Sequence, residues 1–281
     1  MLLKTDPTGF EIVTVQSGVC SLHSKEFDET FHPVIGPMAE AVALHVRQQR
    51  LVERAAAAVS GSFVIWDVGL GAAANAIAAI EAFEGKETCI ELHSFDVTSE
   101  PLRFALNHAA ELGYIAPHTT VIEELLATGA ASSAHYNWRF HQGDFRETIS
   151  AVPPPHAVLY DPYSPQSNPE MWTLEQFARV RAGLSPAAPC LLTNYTRSTA
   201  VRVTLLLAGF FVGRGHATGE KDQTTIATND LALLEDPLDA DWLGRVRRST
   251  NGAPLREGRS GWETISDTDW ATLLAHPQFA R

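Results

Sequence analysis

The sequence predicts an α/β fold: a mostly parallel sheet, seven strands in all, whose last strand enters antiparallel. Three observations carry this. Apolar strand-like runs alternate with helical runs through the middle of the chain. The strand-like runs end in an acid or a glycine, and the last two β-type runs follow one another with no room for a crossover helix.

Taken in order, "KEFDETFHPVIGPMAEAVALHVRQQRLVERAAAA" reads as a loop and a helical cap ahead of the first core strand. "SFVIWDVG", Ser62 to Gly69, is an apolar β-branched run, and the alanine-rich "AAANAIAAIEAFEG" after it has strong helix propensity. "TCIELHSFDV" reads as a second strand, and "SEPLRFALNHAAELG" as a helix capped by Ser99 and closed by Gly113. A short strand-like "WRFHQG" precedes Asp144. "HAVLYDPYS" is a further strand, "NPEMWTLEQFARVRAGL" a helix with Asn168 as its cap and Pro169 at its first position, and "APCLLTNYT" a strand before the helix "STAVRVTLLLAG". "FFVGRGHAT" and "DQTTIATND", separated by "GEK", should pair antiparallel. The rest is loop-rich, with a short helix at "DADWLGRVRRST". The expected organisation is an N-terminal extension and helical cap over 1–60, a core over 61–232 and a C-terminal tail over 233–281.

Composition narrows the function. The 281 residues are 45% hydrophobic, ample for an ordinary core, and carry a formal charge of −12, which argues against broad attraction to phosphate backbones. No apolar run approaches the roughly 18 residues needed to cross a bilayer, so the chain reads as cytoplasmic and without a membrane partner. Cys20, Cys89 and Cys190 are far apart and read as buried free thiols, and the eleven histidines form no ligand spacing, so no metal is expected.

The first chemical signal is "DVGLGAAANA". Gly69 and Gly71 let the backbone turn sharply after a strand and approach a ligand, and the following helix N-terminus favours negative charge. Ala74 stands where a third glycine would complete a dinucleotide fingerprint, which disfavours a nicotinamide oxidoreductase. Asp67, Asp96 and Asp144 fall at successive strand ends, the edge where open α/β sheets bind ligands. Asp96 can accept from ribose hydroxyls and Asp144 from an adenine amine. Together with Asp67 they suit S-adenosyl-L-methionine, and with the antiparallel ending they give the outline of a Rossmann-like class I methyltransferase.

"LYDPYSPQSNPEMW" lies at the end of the next core strand, beside the expected methyl group. Its Asp161-Pro162-Tyr163 resembles the D/N-P-P-Y motif of amino-group methyltransferases. The chemistry needs such a group: an alkyl amine with a pKa near 10.4 is neutral to only about one part in a thousand at pH 7, and only the neutral nitrogen can attack. Asp161 is the candidate to orient the amine and help remove its proton, with Tyr163 beside it.

The segment "DPYSPQSNPEMW" also resembles D-x-F-x-P-x-K-N-P-x-M-W in the methyltransferase domain of MnmC-type enzymes, which methylate the aminomethyl group of 5-aminomethyl-2-thiouridine at the wobble position of tRNA. "EFDETFHPVIGPMAEAVALHV" resembles the family's D-x-Y-F-S-x-x-x-G-L-A-E-T-x-Y-V-F, placing Asp28, Phe31 and Glu40 on matching positions. "DVGLGAAANA" resembles E-x-G-F-G-T-G-L-N-F through Asp67, Gly69, Gly71 and Asn75. "HQGDFRETI" resembles W-x-G-D-x-x-x-x-L through Asp144, and "STAVRVTLLLAGFFVGR" resembles T-x-A-x-V-R-x-x-L-x-x-A-G-F through Arg202. The resemblance implies S-adenosyl-L-methionine as cofactor, with Glu40 and Asn75 joining the cofactor contacts. It implies substrate contacts at Phe31, Pro162, Gln166, Asn168 and Arg202, and tRNA as partner.

The departures are Gln166 for the motif's lysine, Tyr163 for its phenylalanine, and Ala72-Ala73 for the loop's Thr-Gly. The basic stretch after the AGF strand is "GHATGEKDQ" here. Bifunctional members carry a flavin-dependent oxidoreductase domain, for which this chain is too short, so a separate oxidoreductase would act earlier. Arg245, Arg247, Arg248, Arg256 and Arg259 form a basic cluster that suits phosphates or a solvated helix face equally. The alternatives are a small-molecule amine methyltransferase, an aminopropyltransferase, or a cofactor-binding protein without catalysis.

Overall fold

The computed structural model describes residues 9–58, 62–219, 222–258 and 263–279. Glu220 and Lys221 of the "GEK" link and Arg259 of the basic cluster lie outside them. The N-terminal part opens with a small antiparallel sheet of β1 (Phe10–Thr14), β2 (Cys20–Ser24) and β3 (Glu29–Thr30), followed by α1 (Pro37–Ala41), a π-helical segment Val42–Arg47, and α2 (Leu51–Ala57). Only the helical part of this region was legible as a cap.

The core runs β4 (Phe63–Val68), α3 (Ala74–Ala82), β5 (Ile90–Asp96), α4 (Glu100–Asn107), α5 (Ala109–Leu112), α6 (Thr119–Thr128), β6 (Ala130–Ser132), β7 (Tyr136–Gln142) and α7 (Phe145–Thr148). It continues through β8 (Ala157–Tyr160), α8 (Leu174–Gly183), β9 (Leu191–Asn194), α9 (Thr199–Leu207), β10 (Phe211–Gly215) and β11 (Thr224–Thr228). Helices α10 (Ala240–Arg248) and α11 (Asp267–Leu274) follow. The sheet order is β10-β11-β9-β8-β4-β5-β7-β6. Strands β4, β5, β7, β8 and β9 pair in parallel, and β11 enters antiparallel between β9 and β10, as expected. Short β6, antiparallel on β7, adds an eighth strand at the edge.

Both faces of this sheet are covered, so β4 is buried at all six positions and its sequence shows no alternation. Parity still sorts its side chains. Phe63 and Ile65 pack with α3, α4 and α6, whereas Val64, Trp66 and Val68 pack with α8, α9 and α10. Parity also puts Asp67 on the α3 side, inside the protein.

Two capping expectations change. Ser99 makes no capping bond to α4: Pro101 in the first turn has no N–H to offer, and the Ser99 hydroxyl accepts from Arg103 Nε at 3.1 Å. Asn168 precedes only a 3₁₀ turn, Pro169–Trp172, without a side-chain bond to it, and α8 is capped by Thr173, whose Oγ1 accepts from Gln176 N at 3.2 Å. Of the three thiols, all free, only Cys190 is fully buried.

Candidate active site

A cavity of about 590 Å³ opens at the carboxyl ends of β4, β5, β7 and β8, roofed by the N-terminal sheet and α1. The glycine turn after β4 forms its floor. Gly69 has φ of 93°, and the N–H groups of Gly69 and Leu70 donate to Phe95 O at 3.0 and 3.1 Å. A Cβ on Gly69 would stand 2.7 Å from Asp161 O, so only glycine lets the two strand-end loops touch. A Cβ on Gly71 (φ 49°) would meet the Phe31 ring at 3.0 Å, which brings the N-terminal roof onto the same turn.

Asp161 is delivered by continued strand pairing: its N–H donates to Val68 O at 2.9 Å, one residue beyond the β4–β8 ladder. Asn75 Nδ2, in the first turn of α3, donates to Asp161 Oδ2 at 2.8 Å, leaving Asn75 Oδ1 buried and unpaired among the described residues. His32 Nε2 lies 3.7 Å from the same Oδ2, and His32 Nδ1 lies 3.8 Å from Glu40 Oε2. Pro162 lines the wall, its carbonyl accepting from the Tyr195 hydroxyl at 3.2 Å. Tyr163 stacks on Phe27 at 4.2 Å and meets Phe31 edge-on at 5.6 Å; burial pushes its hydroxyl up to about 12. Trp172 Nε1 donates to Tyr163 O at 2.8 Å, so the 3₁₀ turn pins the segment from behind. From in front, the Glu29 carboxylate accepts from Ser164 N at 3.1 Å and from the Ser164 and Ser167 hydroxyls.

The other acids differ from one another. Asp96 accepts from Gly71 N at 3.0 Å and Thr98 N at 3.2 Å; burial pushes it above the usual carboxylate range against the pull of those N–H groups. Its carboxylate faces the cavity and retains accepting capacity for a ligand. Asp144 caps α7, accepting from Arg146 N at 2.9 Å, and the Arg146 guanidinium forks onto the same carboxylate and holds it below the usual range. Any ligand amine must share Asp144 with that arginine.

The structure brings Glu40, Phe31, Gly69, Gly71, Asn75, Asp96, Asp144, Asp161, Pro162, Tyr163 and Asn168 to one cavity. Three expected residues are elsewhere. Asp67 is fully buried behind the glycine turn, taking a hydrogen bond from Ser94 Oγ at 2.7 Å; burial pushes its carboxyl up to about 8. Gln166 is exposed and does not line the cavity. Arg202 is buried within α9, where Nε donates to Thr225 Oγ1 at 3.0 Å and Nη2 to Gln223 Oε1 at 2.9 Å and Thr224 O at 2.8 Å, tying α9 to β11. Sequence reasoning missed His32, Tyr195 and Glu29. Asp161 is 129 residues from His32 and Ser164 is 135 from Glu29, and only Glu40 lies near His32 in the chain; position next to the matched Phe31 was the one available signal.

The cavity wall is acidic. Glu26, Asp28, Glu29, Glu40, Asp96, Asp144, Asp161 and Glu170 line it, against a single arginine, Arg146, among the described residues. Such a wall fits a cation such as a sulfonium or an ammonium, and the left-handed glycines with the Asp96 carboxylate fit a nucleoside's close approach and hydroxyl donors. No group of side chains able to hold a metal ion occurs among the described residues.

Residues 119–230 match the family described as S-adenosyl-L-methionine-dependent methyltransferase. Over that stretch the chain is similar to S-adenosyl-L-methionine-dependent methyltransferases, and its sheet order is that of the class I methyltransferase fold. The chain is also similar to proteins named "tRNA 5-methylaminomethyl-2-thiouridine biosynthesis bifunctional protein MnmC". It is 28% identical to the Aeromonas hydrophila protein over 216 residues, 70% of this chain and 32% of that one. It is 27% identical to the Pseudomonas putida (strain W619) protein over 237 residues, 79% of this chain and 35% of that one. The chain thus spans about a third of the length of these relatives. Among solved structures, MNMC2 from Aquifex aeolicus has the same fold, with a TM-score of 0.70 and 23% identity over 97% of this chain and 84% of that one. Spermidine synthase from Thermotoga maritima shares it more loosely, with a TM-score of 0.51 and 9% identity over 97% of this chain and 80% of that one.

Proposed function

We propose that this chain methylates a primary amine, the aminomethyl group of 5-aminomethyl-2-thiouridine at the tRNA wobble position, using S-adenosyl-L-methionine. The observation that carries the reading is Asp161: a carboxylate fixed by Asn75, backed by the Gly69 turn and flanked by Tyr163, at the wall of an acidic cavity. Gly69, Gly71, Asn75, Asp96, Asp144 and Glu40 would hold the cofactor, which supplies an electrophilic methyl group on a sulfonium. Asp161 and the Pro162 carbonyl orient the acceptor nitrogen, Tyr163 and Phe31 exclude water from it, and Asn168 offers its buried Oδ1 nearby. Asp67 and Arg202 support the glycine turn and the α9–β11 packing.

The relatives' printed name supports tRNA as the acceptor. A separate flavin-dependent oxidoreductase would then produce the aminomethyl group, and the cytoplasm would hold all partners. No helix among the described residues is long and apolar enough to cross a membrane. In the basic cluster Arg247 and Arg256 pair with Asp267 and Asp269, while Arg245 and Arg248 are exposed and could meet phosphate. The eight carboxylates against one arginine support a second reading, a small cationic amine as acceptor. One assay separates them: labelled methyl transfer to tRNA bearing 5-aminomethyl-2-thiouridine, with a polyamine panel alongside. Label in the tRNA alone supports the first reading, label in a polyamine alone the second, and label in neither overturns both.

A further inference from the structure

His32 is held in an unusual place. The Phe31 N–H donates to Leu22 O at 2.8 Å and its carbonyl accepts from the Ser21 hydroxyl, so the chain is pinned to β2 immediately before His32. His32 itself then takes φ of 47°, a left-handed conformation that residues with side chains seldom adopt except where function or packing demands it. The turn puts the imidazole into the cavity wall, with its side chain only 11% exposed.

Both ring nitrogens face acids. Nε2 is 3.7 Å from Asp161 Oδ2 and Nδ1 is 3.8 Å from Glu40 Oε2, ion-pair separations that become hydrogen bonds after a movement of under about an ångström. A neutral imidazole can donate to only one of the two carboxylates, whereas an imidazolium satisfies both. The surrounding charged and titratable groups are Glu40 on α1, Asp161 and Tyr195 beyond β8 and β9, His45 on the π-helical segment, Glu29 on β3 and Asp67 on β4.

We propose that His32 is a positioning residue for the proton: it receives, through Asp161, the proton that an alkylammonium acceptor must lose before it can react, and Glu40 holds the resulting imidazolium. This rests on the reading of the site as an amine methyltransferase. The steps balance. The ammonium gives one proton to Asp161, which passes it to Nε2 of His32 while Nδ1–H stays on Glu40. The freed nitrogen lone pair forms the bond to the methyl carbon, and the electron pair of the broken carbon–sulfur bond stays on sulfur. The product leaves as a secondary ammonium, and His32 returns its proton to solvent through the open cavity.

The test is His32→Asn in the full chain, because asparagine tolerates a left-handed φ, with Glu40→Gln as a second variant. For each, kcat/KM would be measured between about pH 6 and pH 9 with the acceptor that wild type methylates, and cofactor affinity by calorimetry. The expected result for His32→Asn is cofactor affinity within about twofold of wild type and a loss on the order of 10²-fold at neutral pH. That loss should shrink by up to about tenfold per pH unit as solvent delivers more neutral amine. Glu40→Gln should show the same pH dependence of the loss, measured at saturating cofactor because Glu40 also faces the cofactor. A His32→Asn profile parallel to wild type at every pH overturns this inference alone. A wild-type protein that binds the cofactor yet methylates neither tRNA nor any amine overturns the amine reading, and this inference with it.

Discussion

Replacing Gly69 with alanine tests how the two strand-end loops make one site. At φ of 93° any side chain is strained, by about 1–2 kcal/mol. The new Cβ would also lie 2.7 Å from Asp161 O, 3.0 Å from Asp161 C and 3.1 Å from Pro162 Cα, all backbone atoms that no rotamer change can move. Relief requires the Asp161 loop to shift, and overpacking of this kind adds about 1–3 kcal/mol, so Gly69→Ala should lose roughly 2–5 kcal/mol. The shift carries Asp161 off its bond to Asn75, and a misplacement of about 1 Å costs on the order of 10²-fold in turnover. Gly85→Ala is the control. Gly85 also has positive φ, 69°, but nothing lies within 4 Å of its added Cβ. It should lose only the backbone strain, about 1–2 kcal/mol, with turnover unchanged. Urea unfolding and methyl transfer on both variants give the comparison. A Gly69→Ala protein as stable and as active as Gly85→Ala would refute the reasoning.

Asp96→Ala should weaken S-adenosyl-L-methionine binding at least about tenfold by calorimetry, because it removes both the ligand acceptor and the anchor of Gly71 N; unaltered affinity would take Asp96 out of the site. Asp67 is raised from 3.8 to about 8 by burial, so between those pH values the folded chain holds a proton the unfolded chain has lost. Stability should therefore fall as pH rises through that window, by up to about 1.4 kcal/mol per unit, and unfolding midpoints of Asp67→Asn should lose that slope while cofactor affinity is retained. Arg202→Met should cost about 2–4 kcal/mol in urea unfolding by stranding Thr224 O and its neighbours, with acceptor KM within about twofold. A KM rise with full stability would return Arg202 to the site.

The βα rhythm was legible because runs such as "SFVIWDVG" followed by "AAANAIAAIEAFEG" carry both strand and helix propensity. The antiparallel ending was legible from the short link between β10 and β11. The β1–β2 hairpin was not, because Phe10–Thr14 is only half-buried and its partner strand "CSLHS" has no alternating apolar pattern. Within the site, Asp96 and Asp161 could be placed because a strand end at the carboxyl edge points to ligand whichever face it takes. Asp67 could not, since its direction depends on parity within a strand buried on both sides. The family resemblance makes Arg202 a substrate contact, and an arginine in a helix has no sequence mark of burial to oppose it; its partners lie on β11 and the loop just before it, 21 to 23 residues away. His32 was hidden for the opposite reason, its two acids reaching it from α1 and from the loop after β8.

The central claim is that the Asp161-Pro162-Tyr163 segment presents an amine to a methyl donor. Asp161→Asn tests it most directly, since the amide preserves shape and removes the charge that orients and deprotonates the nitrogen. Cofactor affinity by calorimetry should stay within about threefold of wild type, while methyl transfer to tRNA bearing 5-aminomethyl-2-thiouridine falls on the order of 10²-fold or more. Undiminished transfer by Asp161→Asn would contradict the account.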